Sequence, residues 1–203
     1  MIPDPGPFIY DDSAERQYII STPAHNTISI DGLNHEAVEG AHNPKIVVDD
    51  FSEGANEARI TAHHHAYESF SGKPTVGRTL WMDQTPDTFP IVIVIDWARS
   101  GGGHEHTFTS SLNLNTTDVT ETAPGDLDMK VTRSDRMRVQ TLLLPGQSVT
   151  LISEYVPGGF NPLPPAAIAF ESTPRKGQPV RIRLTMPDGS TRSLEFPAPD
   201  LDS

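Results

Sequence analysis

The 203-residue sequence contains no cysteine, which excludes disulfides, thiolate metal sites and cysteine nucleophiles. It has no apolar run approaching the roughly 18–20 residues that a membrane helix needs. The opening stretch Met1–Gly6 lacks the basic and apolar segments of a secretory signal, so none is expected there. Positive charge is scarce as well: 15 Lys and Arg stand against 27 Asp and Glu, for a net charge of −12. A nucleic acid, which demands a basic face, is therefore not expected as a partner. Ordinary solubility accounts for the acidity, and a local basic cluster leaves an acidic polysaccharide open as a ligand.

No long segment shows the 3.6-residue helical period. Short β-rich runs recur instead: Thr27–Ile30, Lys45–Val48, Arg59–Ala62, Thr79–Met82, Ile91–Trp97, Thr107–Leu114, Met129–Thr132, Val139–Leu144, Val149–Val156, Ile168–Glu171, Val180–Thr185 and Ser193–Phe196. Val180–Thr185 alternates apolar and polar residues, the pattern of a half-buried strand. Ile91–Ile95 is apolar at every position and predicts a strand covered on both faces. Pro187-Asp188-Gly189-Ser190 and Leu144-Pro145-Gly146-Gln147 predict hairpin turns, and Asp31-Gly32 the end of a strand. The 19 prolines fall mostly between the runs. Together these features predict an all-β, antiparallel β-sandwich, with residues 1–203 forming one domain.

Eight histidines raise the question of a metal. In His63-His64-His65, alternation along a strand lets only His63 and His65 share a face. They are either a metal pair or polar residues at a surface strand end. His104 and His106 repeat the spacing, and a loop-to-strand transition explains them equally well. Gly101-Gly102-Gly103 lacks the Lys-Ser/Thr of a phosphate loop. No G-x-S-x-G elbow, no H-E-x-x-H and no calcium-loop pattern occurs.

One stretch is more specific. Asp4-Pro5-Gly6 is followed by Tyr10, by Arg16-Gln17-Tyr18, and by Ser21-Thr22-Pro23-Ala24-His25-Asn26-Thr27-Ile28-Ser29-Ile30-Asp31-Gly32. The order D-P-G, R-x-Y, S-T-x-x-H-N-T and a closing D-G resembles the β-sandwich domain of the heparinase II/III-like polysaccharide lyases. Arg78-Thr79-Leu80-Trp81 and the strand at Ile91–Asp96 extend the resemblance to the middle of the chain.

The resemblance implies a zinc ion with Asp4 and His25 among its ligands, and Asn26 and Thr27 steadying the ligands or fixing the strand. Taken without it, Asp4 reads as an exposed turn residue and His25 as a polar cap on the following strand. It also implies that Arg16 and Tyr18 border the sugar cleft, Arg16 pairing with a uronate carboxylate and Tyr18 stacking on the ring. In an extended segment these two residues would share a face, which also fits a plain amphipathic strand edge.

The lyases of this family take their catalytic tyrosine and its partner from a helical toroid domain, and a catalytic histidine from an upstream H-x-H. No catalytic residue is therefore expected in this chain, which is read as a sandwich incomplete at its N-terminus, inactive alone, with the toroid domain as a partner. The expected parent reaction is β-elimination on a uronic-acid-containing glycan, of heparin or alginate type, in the periplasm or outside the cell. The competing expectation is a non-catalytic carbohydrate-binding or structural sandwich.

Overall fold

The computed structural model describes residues 10–35, 46–86, 89–113, 116–133, 135–158, 164–173, 175 and 177–197. It is an antiparallel β-protein. Among the described residues one short helix, α1 (Ala14–Ile19), and a 3-10 turn, Thr22–Ala24, precede β1 (Ile28–Ile30). Next come β2 (Ile46–Glu53), β3 (Glu57–His64), β4 (Thr75–Asp83), β5 (Ile91–Arg99) and β6 (Phe108–Ser110). The remaining strands are β7 (Val119–Ala123), β8 (Asp126–Lys130), β9 (Arg136–Leu144), β10 (Gln147–Tyr155), β11 (Ala167–Phe170), β12 (Val180–Thr185) and β13 (Thr191–Phe196).

Among the described residues three sheets form. Eight strands run in the order β2-β3-β4-β5-β10-β9-β8-β7; β11-β12-β13 make a second sheet; β1 pairs with β6. The predicted turns close hairpins. Gln147 faces Leu144 across β9 and β10, and Thr191 faces Thr185 across β12 and β13. Gly189, at φ 83°, sits in the left-handed region that its turn requires.

The chain divides into two compact units. One comprises Phe51–Arg59, Leu80–Ile95 and Asp118–Ser203. Its core joins Trp81, Ile91, Ile93 and Ile95 from β4 and β5 to Val149 and Leu151 of β10 and to Ile168, Ile182, Leu184 and Phe196 of the three-stranded sheet. This is the sandwich that the alternating strands predict: in β12 the odd-one-out pattern is exact, with Val180, Ile182 and Leu184 buried between exposed Arg181 and Arg183. Ile91, Ile93, Val94 and Ile95 are all buried, so β5 is covered on both faces as its continuous apolarity requires.

The other unit comprises Met1–Asp50, Ile60–Thr79 and Asp96–Thr117. Ile28, Ile30, Tyr67 and Val76 make its core, with Phe70, Ala98 and Phe108 packed against them. The Tyr67 hydroxyl donates to the Ile28 carbonyl at 3.0 Å, which satisfies a buried polar tip within an apolar cluster.

Two expectations need correction. Arg16 and Tyr18 are not extended: they lie on α1, where two residues turn the chain by about 200°, so they leave opposite sides of the helix. The run Thr107–Leu114 pairs only over Phe108–Ser110, because the chain beyond it turns to bond the segment before β1.

Candidate functional site

The motif-bearing segment is built from short, capped pieces. Ser13 ends the preceding turn and accepts the Arg16 backbone N–H at 3.2 Å, which starts α1 at the position of an N-cap. Glu15 in the first turn suits the positive end of the helix. Ser21 closes α1 by donating its hydroxyl to the Tyr18 carbonyl at 2.6 Å. Thr22 then opens the 3-10 turn and is buried. Its N–H donates to Asn34 Oδ1 at 2.8 Å, and its hydroxyl accepts the His35 N–H at 2.9 Å.

His25 caps that 3-10 turn in an extended conformation, donating its N–H to the Thr22 carbonyl at 3.1 Å. Its own carbonyl accepts the Thr27 N–H at 2.9 Å, one residue before β1 begins. Asn26 fastens the motif to the rest of its unit. Its Oδ1 accepts the Asn113 N–H at 2.6 Å, while Asn113 Nδ2 donates to the Ala24 carbonyl at 2.6 Å. The Asn26 carbonyl accepts Arg78 Nη1 at 2.6 Å.

Arg78 in turn grips Asp96 with two parallel bonds, Nε to Oδ1 at 2.5 Å and Nη2 to Oδ2 at 2.8 Å, and Ser110 donates to the same carboxylate. Asp96 is only 3% exposed, so this pairing is what permits a charge there. Asn26 thus fixes the strand, one of the two roles expected of it.

Asp31 ends β1 with φ 53°, followed by Gly32 at φ 69°. Its carboxylate accepts the Thr107 N–H at 2.8 Å and faces His106 Nδ1 at 2.8 Å. His106 Nε2 lies 2.8 Å from the Ser71 carbonyl. Two acceptors on one imidazole favour the doubly protonated ring. The bond to Asp31, and then that to Ser71, hold the His106 pKa above the ordinary histidine value.

The expected sugar-contacting residues differ in setting. Arg16 is half-buried, with its guanidinium carbon 5.1 Å from the centre of the Tyr10 ring. Its Nη1 is buried and has no hydrogen-bond partner among the described residues. Tyr18 is exposed, on the other side of α1. Asp4 lies outside the described residues. Among these no group of three or more His, Asp or Glu is placed to hold a metal ion.

Two features were not foreseen from the sequence. His64 is pushed down to about 4, first by burial and then by the charges of His35, His65 and His63, and its Nδ1 accepts the Ala66 N–H at 3.2 Å. Trp97 lies against Gly77, where a Cβ would come within 2.1 Å of the indole. A glycine inside an otherwise regular strand was the available signal for such a close approach.

No curated protein matches the chain. Solved structures do. A heparinase III gives a TM-score of 0.66 at 12% identity, and the heparan sulfate lyase HepC of Pedobacter heparinus 0.66 at 13%; each covers 97% of this chain and 34% of the other. A second heparinase III gives 0.62 at 15% identity. These likenesses are of fold, and the chain spans about a third of the length of those proteins. The family described as heparinase II/III-like, C-terminal, matches residues 1–191, and the chain belongs to that family.

Proposed function

We propose that this chain is the β-sandwich part of a polysaccharide lyase that cleaves uronic-acid-containing glycans by β-elimination, and that its task is to bind and orient rather than to move protons. In that reaction a base takes the proton from the carbon next to the carboxylate. The glycosidic carbon–oxygen bond then breaks, a carbon–carbon double bond forms, and the departing oxygen takes up a proton. Negative charge builds on the carboxylate as the proton leaves, so a cation held against it lowers the barrier.

The observation that carries the reading is the Arg16 guanidinium. Its Nη1 is a buried donor without a partner among the described residues, within residues 1–191 that the family matches. An uncommitted arginine nitrogen is suited to a carboxylate. Tyr10 lies against Arg16, and Tyr18 presents an exposed ring for a sugar to stack on. The solved relatives named above, one of them a heparan sulfate lyase, favour a heparan-type glycan.

We also infer a structural zinc ion with Asp4 and His25 among its ligands. A carboxylate and an imidazole suit zinc without any thiolate, and a half-buried His25 at a fixed turn is a fit donor. The ion would tie the start of the motif to the start of β1, and two of the four ligands that a structural zinc takes make an incomplete site that binds it weakly. Calorimetry with zinc should show weak binding at this site, lost in His25→Ala.

The division of labour is tested by following the absorbance of the unsaturated product on heparan-type and alginate-type substrates. The expected result for the 203-residue chain alone is no product, since the family's acid and base belong to its helical toroid domain. Turnover that disappears on a substitution within this chain would overturn the reading and make the sandwich itself catalytic.

A further inference from the structure

The chain carries two H-x-H pairs, and their surroundings separate them. In the pair His104 and His106, both ring nitrogens of His106 are engaged, Nδ1 with Asp31 and Nε2 with the Ser71 carbonyl. That imidazole has no lone pair to give a metal.

His63 and His65 are placed differently. His63 is on β3 and His65 is the residue just past its end, and the two rings lie side by side with centres 5.0 Å apart. His63 Nδ1 lies 2.8 Å from Asp49 Oδ2 on β2. His65 Nδ1 lies 3.3 Å from Thr75 Oγ1 on β4 and 4.0 Å from Glu68 Oε1. Neither Nε2 has a hydrogen-bond partner among the described residues. An oxygen acceptor on Nδ1 fixes the proton there and leaves the lone pair on Nε2, which is how metal-ligating histidines are oriented.

The spacing fits a shared ion. With metal–nitrogen bonds of about 2.0–2.1 Å and the ring centre about 1.1 Å beyond, two imidazoles on adjacent corners have centres about 4.5 Å apart in a square-planar or tetragonal site and about 5 Å apart in a tetrahedral one. The side chains are 16% and 32% exposed, so an ion can reach them. Trp97 sits next to the pair, its ring centre 6.0 Å from that of His63. Its Nε1 is a buried N–H donor without a partner among the described residues, a state that native proteins rarely leave without a water oxygen or another acceptor nearby.

We propose that His63 and His65 form a two-imidazole chelate for a divalent transition cation, completed by water. Copper(II) and nickel(II) bind ahead of zinc(II) at such a nitrogen site. Asp49 stays on His63 Nδ1 and acts as a positioning residue.

The test titrates the 203-residue chain with nickel(II) alone and then with copper(II) alone, following tryptophan fluorescence, which a paramagnetic ion quenches at the distance of Trp97. The expected result is saturable quenching, reversed by a chelator, with a lower midpoint for copper. His63→Ala and His65→Ala should each raise the midpoint by at least about tenfold, and Asp49→Asn by about tenfold. His104→Ala should leave it unchanged. Circular dichroism checks that each variant is folded. If His63→Ala does not fold, His65→Ala, at a more exposed position, decides the matter. An unchanged midpoint in folded His65→Ala, or an equal loss in His104→Ala, would overturn the proposal.

Discussion

Asp96 shows what a single charged residue does in this fold. It interrupts the apolar run of β5, is nearly fully buried, and is held by Arg78 through two bonds and by Ser110 through a third. Removing the carboxylate leaves the Arg78 guanidinium, 27% exposed, without its counter-charge. Asp96→Ala should therefore lower stability by about 3–5 kcal/mol, read as a lower denaturant midpoint. The His106–Asp31 pair is sensitive to pH instead. The raised His106 pKa gives stability that is complete below about pH 6.5 and lost as the pH climbs through the folded value. The lowered Asp31 pKa, due first to His106 and then to the Thr107 N–H, gives stability that is present above about pH 3.8 and lost on acidification. Thermal unfolding of the parent and of His106→Gln should thus differ most between about pH 4 and 6.5, and the difference should shrink as the pH climbs through the raised His106 value or falls through the lowered Asp31 value. Gly77 answers to packing alone. A methyl group there meets Trp97 at 2.1 Å, so Gly77→Ala should cost about 1–3 kcal/mol or more and shift the tryptophan emission.

At the scale of elements, the segment from Thr22 to Ile30 depends on bonds made far along the chain. Asn26→Ala would strand the Asn113 N–H and should cost about 1–3 kcal/mol in chemical denaturation. Such bonds explain what the sequence could and could not reveal. Strands with a buried face announce themselves: Val180–Thr185 alternates in the sequence and alternates in burial. β7 is exposed along its whole length, Val119–Ala123, so it carries no apolar alternation to read. α1 is six residues, too short for a periodicity, though Ser13 followed by Glu15 was a legible start signal. The extended reading of Arg16 and Tyr18 failed for that reason. Nor could spacing distinguish the two H-x-H pairs, because the partners that occupy His106 lie 35 and 75 residues away.

At the scale of the whole chain, each unit has its own apolar core, one closed by the three-stranded sheet and one by β1, β6 and Tyr67. The sandwich and the family were legible because hydrophobic alternation and an ordered motif both survive in a single sequence. The sequence offers Arg16 only as a residue type, and its burial and its contact with Tyr10 are set by the fold. An acidic protein that binds an acidic glycan must do so through a few committed cations, and Arg16 is the one proposed here. The decisive measurement is a calorimetric titration of the chain and of Arg16→Ala with a uronate-containing oligosaccharide, native and carboxyl-reduced. Losing either the carboxylate or the guanidinium should weaken binding by about 1.5–3 kcal/mol, the range of a charge-assisted hydrogen bond, or at least about tenfold. Equal affinity for the native and reduced glycans, or an Arg16→Ala chain that binds as tightly as the parent, would contradict the account.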